Sequence, residues 1–537
     1  MTADTLAGTG RLVRFMLRRD RVRLSVWIGS LLLLYVYFIV ALGSLYRTQE
    51  ERQTRAALME TPASVIMAGP GYGLDNYTTG AILANEMVLW MIAGLAIMSM
   101  SEVVRNTRAE EESGRAELVR AGAVGRHAPA VAALLTVVIA NVVFALLSAL
   151  LLILAGDLAV ADSFAVAAGT SLSALVFAAV AVVACQVTEH SRGASGLGLA
   201  ALGLAVLVRG IGDLQERHGS TLSWFSPIAW TQQMRSYVDL RTWPMALSVG
   251  AVVLLLVLGA SLASRRDFGA GLTGVAPGRA EASPLLRSPL ALAWRQQRTG
   301  LFWWFGGFSA MFVASGTYLG DGIEQTLETM AEQNPAVFEM FGTGDLADSF
   351  TAILLVFGGV FAAGYGVSAA LRAKTEEAEG RTEVMLALPV SRTRWLAAQL
   401  TVAVLGATFL MMVGVAFALW RGAVTAGAEA DLGHFLGAGA AYVPGLLVVL
   451  GLAAALYAWA PRATPVLWAL IAFMGVSGMF GSLLDLPDAV LGISPFWWSG
   501  MVPLEKVEAA PLVVLSALAV ALFAAAFAGF RRRDVPR

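Results

Sequence analysis

Leu24-Ser25-Val26-Trp27-Ile28-Gly29-Ser30-Leu31-Leu32-Leu33-Leu34-Tyr35-Val36-Tyr37-Phe38-Ile39-Val40-Ala41-Leu42-Gly43-Ser44-Leu45-Tyr46 carries no charged residue. About 20 apolar residues in a helix cross roughly 30 Å of hydrocarbon, so this run reads as a membrane span. It exceeds the apolar core of about 7–15 residues in a cleavable leader. Although Ala41-Leu42-Gly43 superficially resembles a cleavage site, the segment is expected to stay in the membrane.

Working outward, similar runs predict spans at about 81–101, 128–155, 163–187, 194–210 and 244–263. A second set follows at about 299–319, 349–371, 396–420, 434–459, 464–484 and 509–530. The expected fold is an all-α membrane protein of about 12 transmembrane helices. Composition agrees: 57% of the 537 residues are hydrophobic and 14% charged, with mean hydropathy +0.70. Soluble domains carry about 25% charged residues. The net charge of −1 lacks the basic footprint of a nucleic-acid binder.

Arginine and lysine set the orientation. With the N-terminus inside, inner segments hold 28 of the 37 basic residues. The outer nine are Arg47, Arg52, Arg55, Arg209, Arg217, Arg235, Arg241, Arg421 and Lys506. Both termini are therefore expected in the cytoplasm.

The chain also matches itself near half its length. Gly114-Arg115-Ala116-Glu117 falls on Gly380-Arg381-Thr382-Glu383, and Glu110-Glu111 on Glu376-Glu377, at a shift of 266. Ser226-Pro227 falls on Ser494-Pro495. An even number of spans per half makes the repeats parallel. This divides the chain into a six-span half (1–263), a linker rich in Gly and Pro (264–298) and a second six-span half (299–537). Basic, apolar flanks precede each half, Leu12 to Arg23 and Leu290 to Arg295, with the pattern of interfacial amphipathic helices.

The repeated charged loops carry the most information. A solvated loop has little reason to repeat charge order and spacing, whereas a short helix docking on a partner does. Glu111, Arg115 and Leu118 would share one helix face, as would Glu377, Arg381 and Val384. The second copy closes with Leu388-Pro389-Val390-Ser391-Arg392; the first, Gly122-Ala123-Val124-Gly125-Arg126, lacks the proline.

In these motifs the sequence resembles the permeases of type-2 ABC exporters. The fused twelve-span form looks like actinobacterial permeases that export polyketide antibiotics of the tetronasin type. The resemblance implies a bacterial plasma-membrane protein whose two loops are coupling helices. Coupling roles then fall to Glu110, Glu111, Gly114, Arg115 and Glu117, and to Glu376, Glu377, Gly380, Arg381 and Glu383. It implies two copies of a cytoplasmic ATPase subunit as partners, and a hydrophobic or amphipathic small molecule as cargo.

The motor is expected elsewhere. A phosphate-cradling loop needs a Gly-Lys pair, and Lys374 and Lys506 follow Ala373 and Glu505. No cofactor is expected on this chain; ATP and Mg2+ would sit on the partner subunits. Cys185 is the single cysteine, and His127, His190, His218 and His434 lack metal-ligand spacing. No metal site and no catalytic residue are expected.

Glu86, beside Asn85 in an apolar run, is a pathway or structural candidate, since acids at membrane depth are functional by default. Asn141 reads as an interhelical hydrogen-bond donor. Trp224, Phe225, Trp230, Phe496 and Trp497 lie where the resemblance puts an outer gate. Two rivals stand beside this reading. A proton-coupled twelve-span drug transporter shares the topology but has a basic loop where this chain has Glu-rich ones. A lipid-acting membrane enzyme would need clustered polar residues near one interface.

Overall fold

The computed structural model describes residues 3–267, 269–273, 281, 283, 286–320, 346–480 and 487–534. Among them every regular element is helical, so the all-α membrane fold is borne out. The chain divides into two compact units, Met1–Gly278 and Arg279–Arg537.

In the first unit the long helices are α1 (Thr9–Leu45), α2 (Val88–Asn106), α3 (Ala128–Leu154), α4 (Val160–Val187), α5 (Ser191–Gln215) and α6 (Pro244–Ser264). In the second they are α7 (Pro289–Gly316), α8 (Leu346–Ala370), α9 (392–425), α10 (Leu432–Trp459), α11 (Val466–Phe480) and α12 (Ala509–Arg532). Their starts are chemically marked. Pro129 and Pro244 sit in first turns, where a missing N–H costs nothing. Ser288, Ser391 and Asp431 cap α7, α9 and α10 through the N–H groups of Ala291, Arg394 and His434.

Ten of these helices are long and apolar enough to cross a membrane. The other two expected spans fall on α7, where Trp and Gly dilute the hydropathy, and on α11, described over 15 residues. Large apolar side chains such as Leu33, Val40, Leu254 and Val513 are exposed on the outer faces, as a lipid environment requires. The fourth helix is central in each unit. α4 packs against α2, α3, α5 and α6, and α10 against α8, α9 and α12.

Several boundaries depart from the sequence reading. The basic flanks are not separate interfacial helices but the opening turns of α1 and α7. Arginine is a good helix former, and Asp20 pairs with Arg105, so nothing breaks the helix there. The expected span 81–101 is interrupted at Met87, which separates the helix Thr79–Glu86 from α2. The short fifth run becomes the 25-residue α5. Segment 47–80 holds the helices Gln49–Met59 and Pro62–Met67, while segment 320–348, which follows the first span of the second half as 47–80 follows that of the first, lies mostly outside the described residues. α9 contains a π-helical turn, Leu410–Phe417, a feature common at functional sites.

Small residues let backbones touch where lipid leaves little hydrophobic drive between helices. A Cβ on Gly422 of α9 would lie 2.1 Å from the Val313 carbonyl oxygen of α7. Gly422→Ala is expected to cost about 1–3 kcal/mol through overpacking, read as a lowered Tm of the detergent-solubilised protein. Gly437→Ala, inside α10 where a Cβ meets nothing within 4 Å, should not lower Tm, since alanine is the better helix former.

Candidate functional site

α2 ends at Asn106, and Thr107, at φ −124° and ψ −83°, turns the chain. A short helix, Arg108–Glu112, follows. Gly114 then takes φ +74°, a region glycine enters without a Cβ clash, and a second short helix, Arg115–Arg120, runs on. The second unit repeats the design with Arg372–Ala378, Gly380 at φ +72° and Arg381–Leu386. The expectation of one helix face is thereby corrected. The left-handed glycine leaves Glu111 on one helix and Arg115 and Leu118 on the next, and separates Glu377 from Arg381 and Val384 in the same way.

Each arginine instead folds back over the glycine onto the glutamate five residues earlier. Arg115 Nε donates to Glu110 Oε2 at 3.0 Å. Arg381 forks onto Glu376, Nε to Oε2 and Nη2 to Oε1, both 2.7 Å. This bond holds the Arg381 guanidinium above its ordinary pKa. The first helix of each unit reaches the same carboxylate: Arg19 Nη1 donates to Glu110 Oε1 at 2.8 Å, and Gln296 Nε2 to Glu376 Oε2 at 3.3 Å.

The following glutamate in each loop binds an arginine just past the sixth helix. Arg266 donates to both Glu111 oxygens, at 2.8 and 2.9 Å, and the fully buried Arg108 adds a bond of 2.7 Å. Arg533 Nη2 donates to both Glu377 oxygens, and the Tyr457 hydroxyl donates to Oε2 at 2.6 Å. Planar guanidinium–carboxylate forks fix orientation as well as distance. Glu110, Glu111, Glu376 and Glu377 are thus turned inward, tying the first loop to α1 and the chain just past α6, and the second to α7, α10 and the chain just past α12. Glu117, Leu118, Glu383 and Val384 face solvent, with Leu118 78% and Val384 68% exposed.

Sequence reasoning missed Arg266 and Arg533. A signal was present: Arg265-Arg266-Asp267 matches Arg532-Arg533-Asp534 at a shift of 267, one position from the shift of the loops themselves.

The outer candidates lie apart from these loops. Asn85 both donates to the Tyr72 carbonyl (2.8 Å) and accepts from its N–H (3.1 Å). Glu86 accepts from Arg55 through both oxygens and from the Tyr77 hydroxyl at 3.3 Å. Burial opposes the Arg55 charge, and the Glu86 carboxylate outweighs it, holding the guanidinium above its ordinary range. Burial pushes the nearby Tyr72 phenol up to about 12. Asn141 bonds the Ser99 hydroxyl at 2.9 Å, joining α3 to α2.

Trp224 stacks on Trp243 with centroids 5.1 Å apart, and its carbonyl accepts from Trp230 Nε1 at 2.7 Å. Phe225 is exposed. In the second unit Trp497 packs edge-on against Trp498, whereas Phe496 is buried, edge-on to Tyr442 and close over Gly359 and Gly445. No metal-binding cluster occurs among the described residues.

Two helical units of one chain, apolar outside and each bearing a matched, internally clamped loop, define a multi-pass helical membrane protein. The sequence matches the family described as "Multidrug efflux system permease Rv1217c, C-terminal domain" over residues 11–262 and 286–531, and the chain belongs to that family. A curated relative, the "Multidrug efflux system permease protein Rv1217c" of Mycobacterium tuberculosis, is 36% identical over 531 residues. The match covers 98% of this chain and 95% of the relative.

A hydrogen bond to a charged group contributes about 1.5–3 kcal/mol. Arg533→Gln is therefore expected to speed amide exchange across 372–386 by roughly ten- to hundredfold, with 108–120 unchanged. Arg266→Gln should do the converse. Hydrogen-exchange mass spectrometry of the purified chain reads both.

Proposed function

We propose that this chain is the permease subunit of an ATP-driven exporter of hydrophobic or amphipathic drug-like molecules, with ATP hydrolysed on separate subunits. It spans the bacterial plasma membrane with twelve helices, six in each half, and both termini in the cytoplasm. The observation that carries the reading is the doubled loop. Two short helices are held rigidly from within by paired carboxylates, and each offers an exposed apolar residue beside an exposed glutamate, Leu118 with Glu117 and Val384 with Glu383. A surface built twice and left apolar suits two copies of one partner.

In this mechanism the closing ATPases push on Leu118 and Val384. These ion pairs pass that displacement on: Glu111 to Arg266 just past α6, Glu377 to Arg533 just past α12, and Glu110 to Arg19 on α1. The permease then shifts between inward-facing and outward-facing or occluded states, and cargo biases them by binding them unequally. A proton-coupled alternative would work through a membrane carboxylate; the candidate for it, Glu86, is ion-paired with Arg55 and accepts from the Tyr77 hydroxyl.

The test is purification of the tagged chain from its native host in mild detergent. The expected result is a co-purifying ATPase at about two copies per chain. Leu118→Asp and Val384→Asp, at solvent-facing positions, should each remove one copy, and together abolish ATP-dependent efflux. A chain that purifies alone, with efflux unchanged by ATP depletion, overturns the proposal.

A further inference from the structure

A cavity of about 380 Å3 lies against the first loop, within the first unit. That is inside the usual range of small-molecule sites, about 300–1,000 Å3. Its apolar wall comes from Phe15 and Met16 on α1, Leu134 on α3 and Val182 on α4. Its polar wall includes Arg19, Glu110, Glu111, Arg266 and Asp267. There Arg19 is bound to Glu110, and Arg266 to Glu111.

Arg126 also lines the cavity, and it differs from its repeat mate. Arg392, 266 residues on, donates to the carbonyls of Arg531 and Arg533 at 3.4 and 2.6 Å. Arg126 is exposed and makes no ion pair or hydrogen bond among the described residues. It stands two residues before α3, whose N-terminal end carries the positive pole of the helix. The same sequence position thus closes onto backbone in the second unit and is left open, beside an apolar hollow, in the first.

We propose that this cavity binds an anionic amphiphile, its phosphate or carboxylate on Arg126 and its apolar body between Phe15, Met16 and Leu134. Such a molecule comes from the membrane, as an anionic lipid, or from solution, as an anionic amphipathic compound. Either occupant would rest against Glu110 and Glu111, so occupancy stiffens the loop that these two residues hold. The inference stands on the cavity and on Arg126, and is independent of whether ATP drives transport.

The experiment uses the purified full chain in detergent and native mass spectrometry. The probes are phosphatidylglycerol and phosphatidylcholine at equal concentration, and dodecyl phosphate with inorganic phosphate as its headgroup control. The wild type is expected to retain one phosphatidylglycerol in roughly tenfold preference to phosphatidylcholine, the worth of one charge-assisted hydrogen bond. Arg126→Ala should bring the two to parity, Arg126→Lys should keep the preference, and Arg392→Ala should leave it untouched. Leu134→Trp, which fills the apolar wall, should lower retention of every amphiphile.

Retention of phosphatidylglycerol assigns the site to lipid. Retention of dodecyl phosphate alone assigns it to a soluble amphiphile. Equal retention of the two lipids with no binding of dodecyl phosphate overturns the proposal, as does an Arg126→Ala variant with wild-type preference. Inorganic phosphate competing as well as dodecyl phosphate would remove the apolar wall from the site and overturn it too.

Discussion

Each unit depends on a carboxylate that reaches from the second helix's loop to the arginine beyond the sixth: Glu111 to Arg266, and Glu377 to Arg533. The two ends of this bond are 155 and 156 residues apart in sequence. Without it the loop would lose its tie to the end of the last helix, leaving bonds such as Arg19 to Glu110 and Gln296 to Glu376 to hold it. With it, the loop and the last helix form one mechanical piece. Arg115 and Arg381 then lock the second short helix onto the first, so the solvent-facing tip has a defined direction.

The two units solve this problem with slightly different chemistry. Arg19 on Glu110 is replaced by Gln296 on Glu376, and the second unit adds Tyr457 where the first has Arg108. The donors thus differ between units while the carboxylates stay, and Glu376 gains Arg372 of its own loop as a second arginine at 3.3 Å. Duplication preserved the acceptors and let the donors drift. α9, with its π turn, departs from the regular α3 in the same sense.

The membrane class, the helical character and the loops were legible because they are local. Apolar length marks a span, and a Gly between two charged runs marks a turn. What stayed hidden is tertiary. The break at Met87 has no Pro or Gly to announce it, and the bonds of Asn85 to Tyr72 and Glu86 to Arg55 attach the helix before the break to its surroundings. Phe496 looks like its neighbours Trp497 and Trp498 in sequence, yet it alone fills the space above Gly359 and Gly445. Arg266 and Arg533 sit in basic flanks that topology already explains, so their pairing roles drew no notice. The inward turn of Glu110, Glu111, Glu376 and Glu377 was likewise hidden, because sequence gives charge order but not the side toward which a side chain turns.

α1 is one unbroken helix of 37 residues, about 55 Å at 1.5 Å per residue. That is nearly twice the hydrocarbon thickness. Near one end Arg19 holds Glu110; just past the other, the Tyr46 hydroxyl accepts from Arg55, the arginine that carries Glu86. A rod of this length is a lever arm. Tilting it by about 10° about its middle carries each end through roughly 5 Å, in opposite directions. In the proposed mechanism, a push on the loop at one end of α1 would thus reach the other end as a displacement of side-chain size, through a single element with no joint along it.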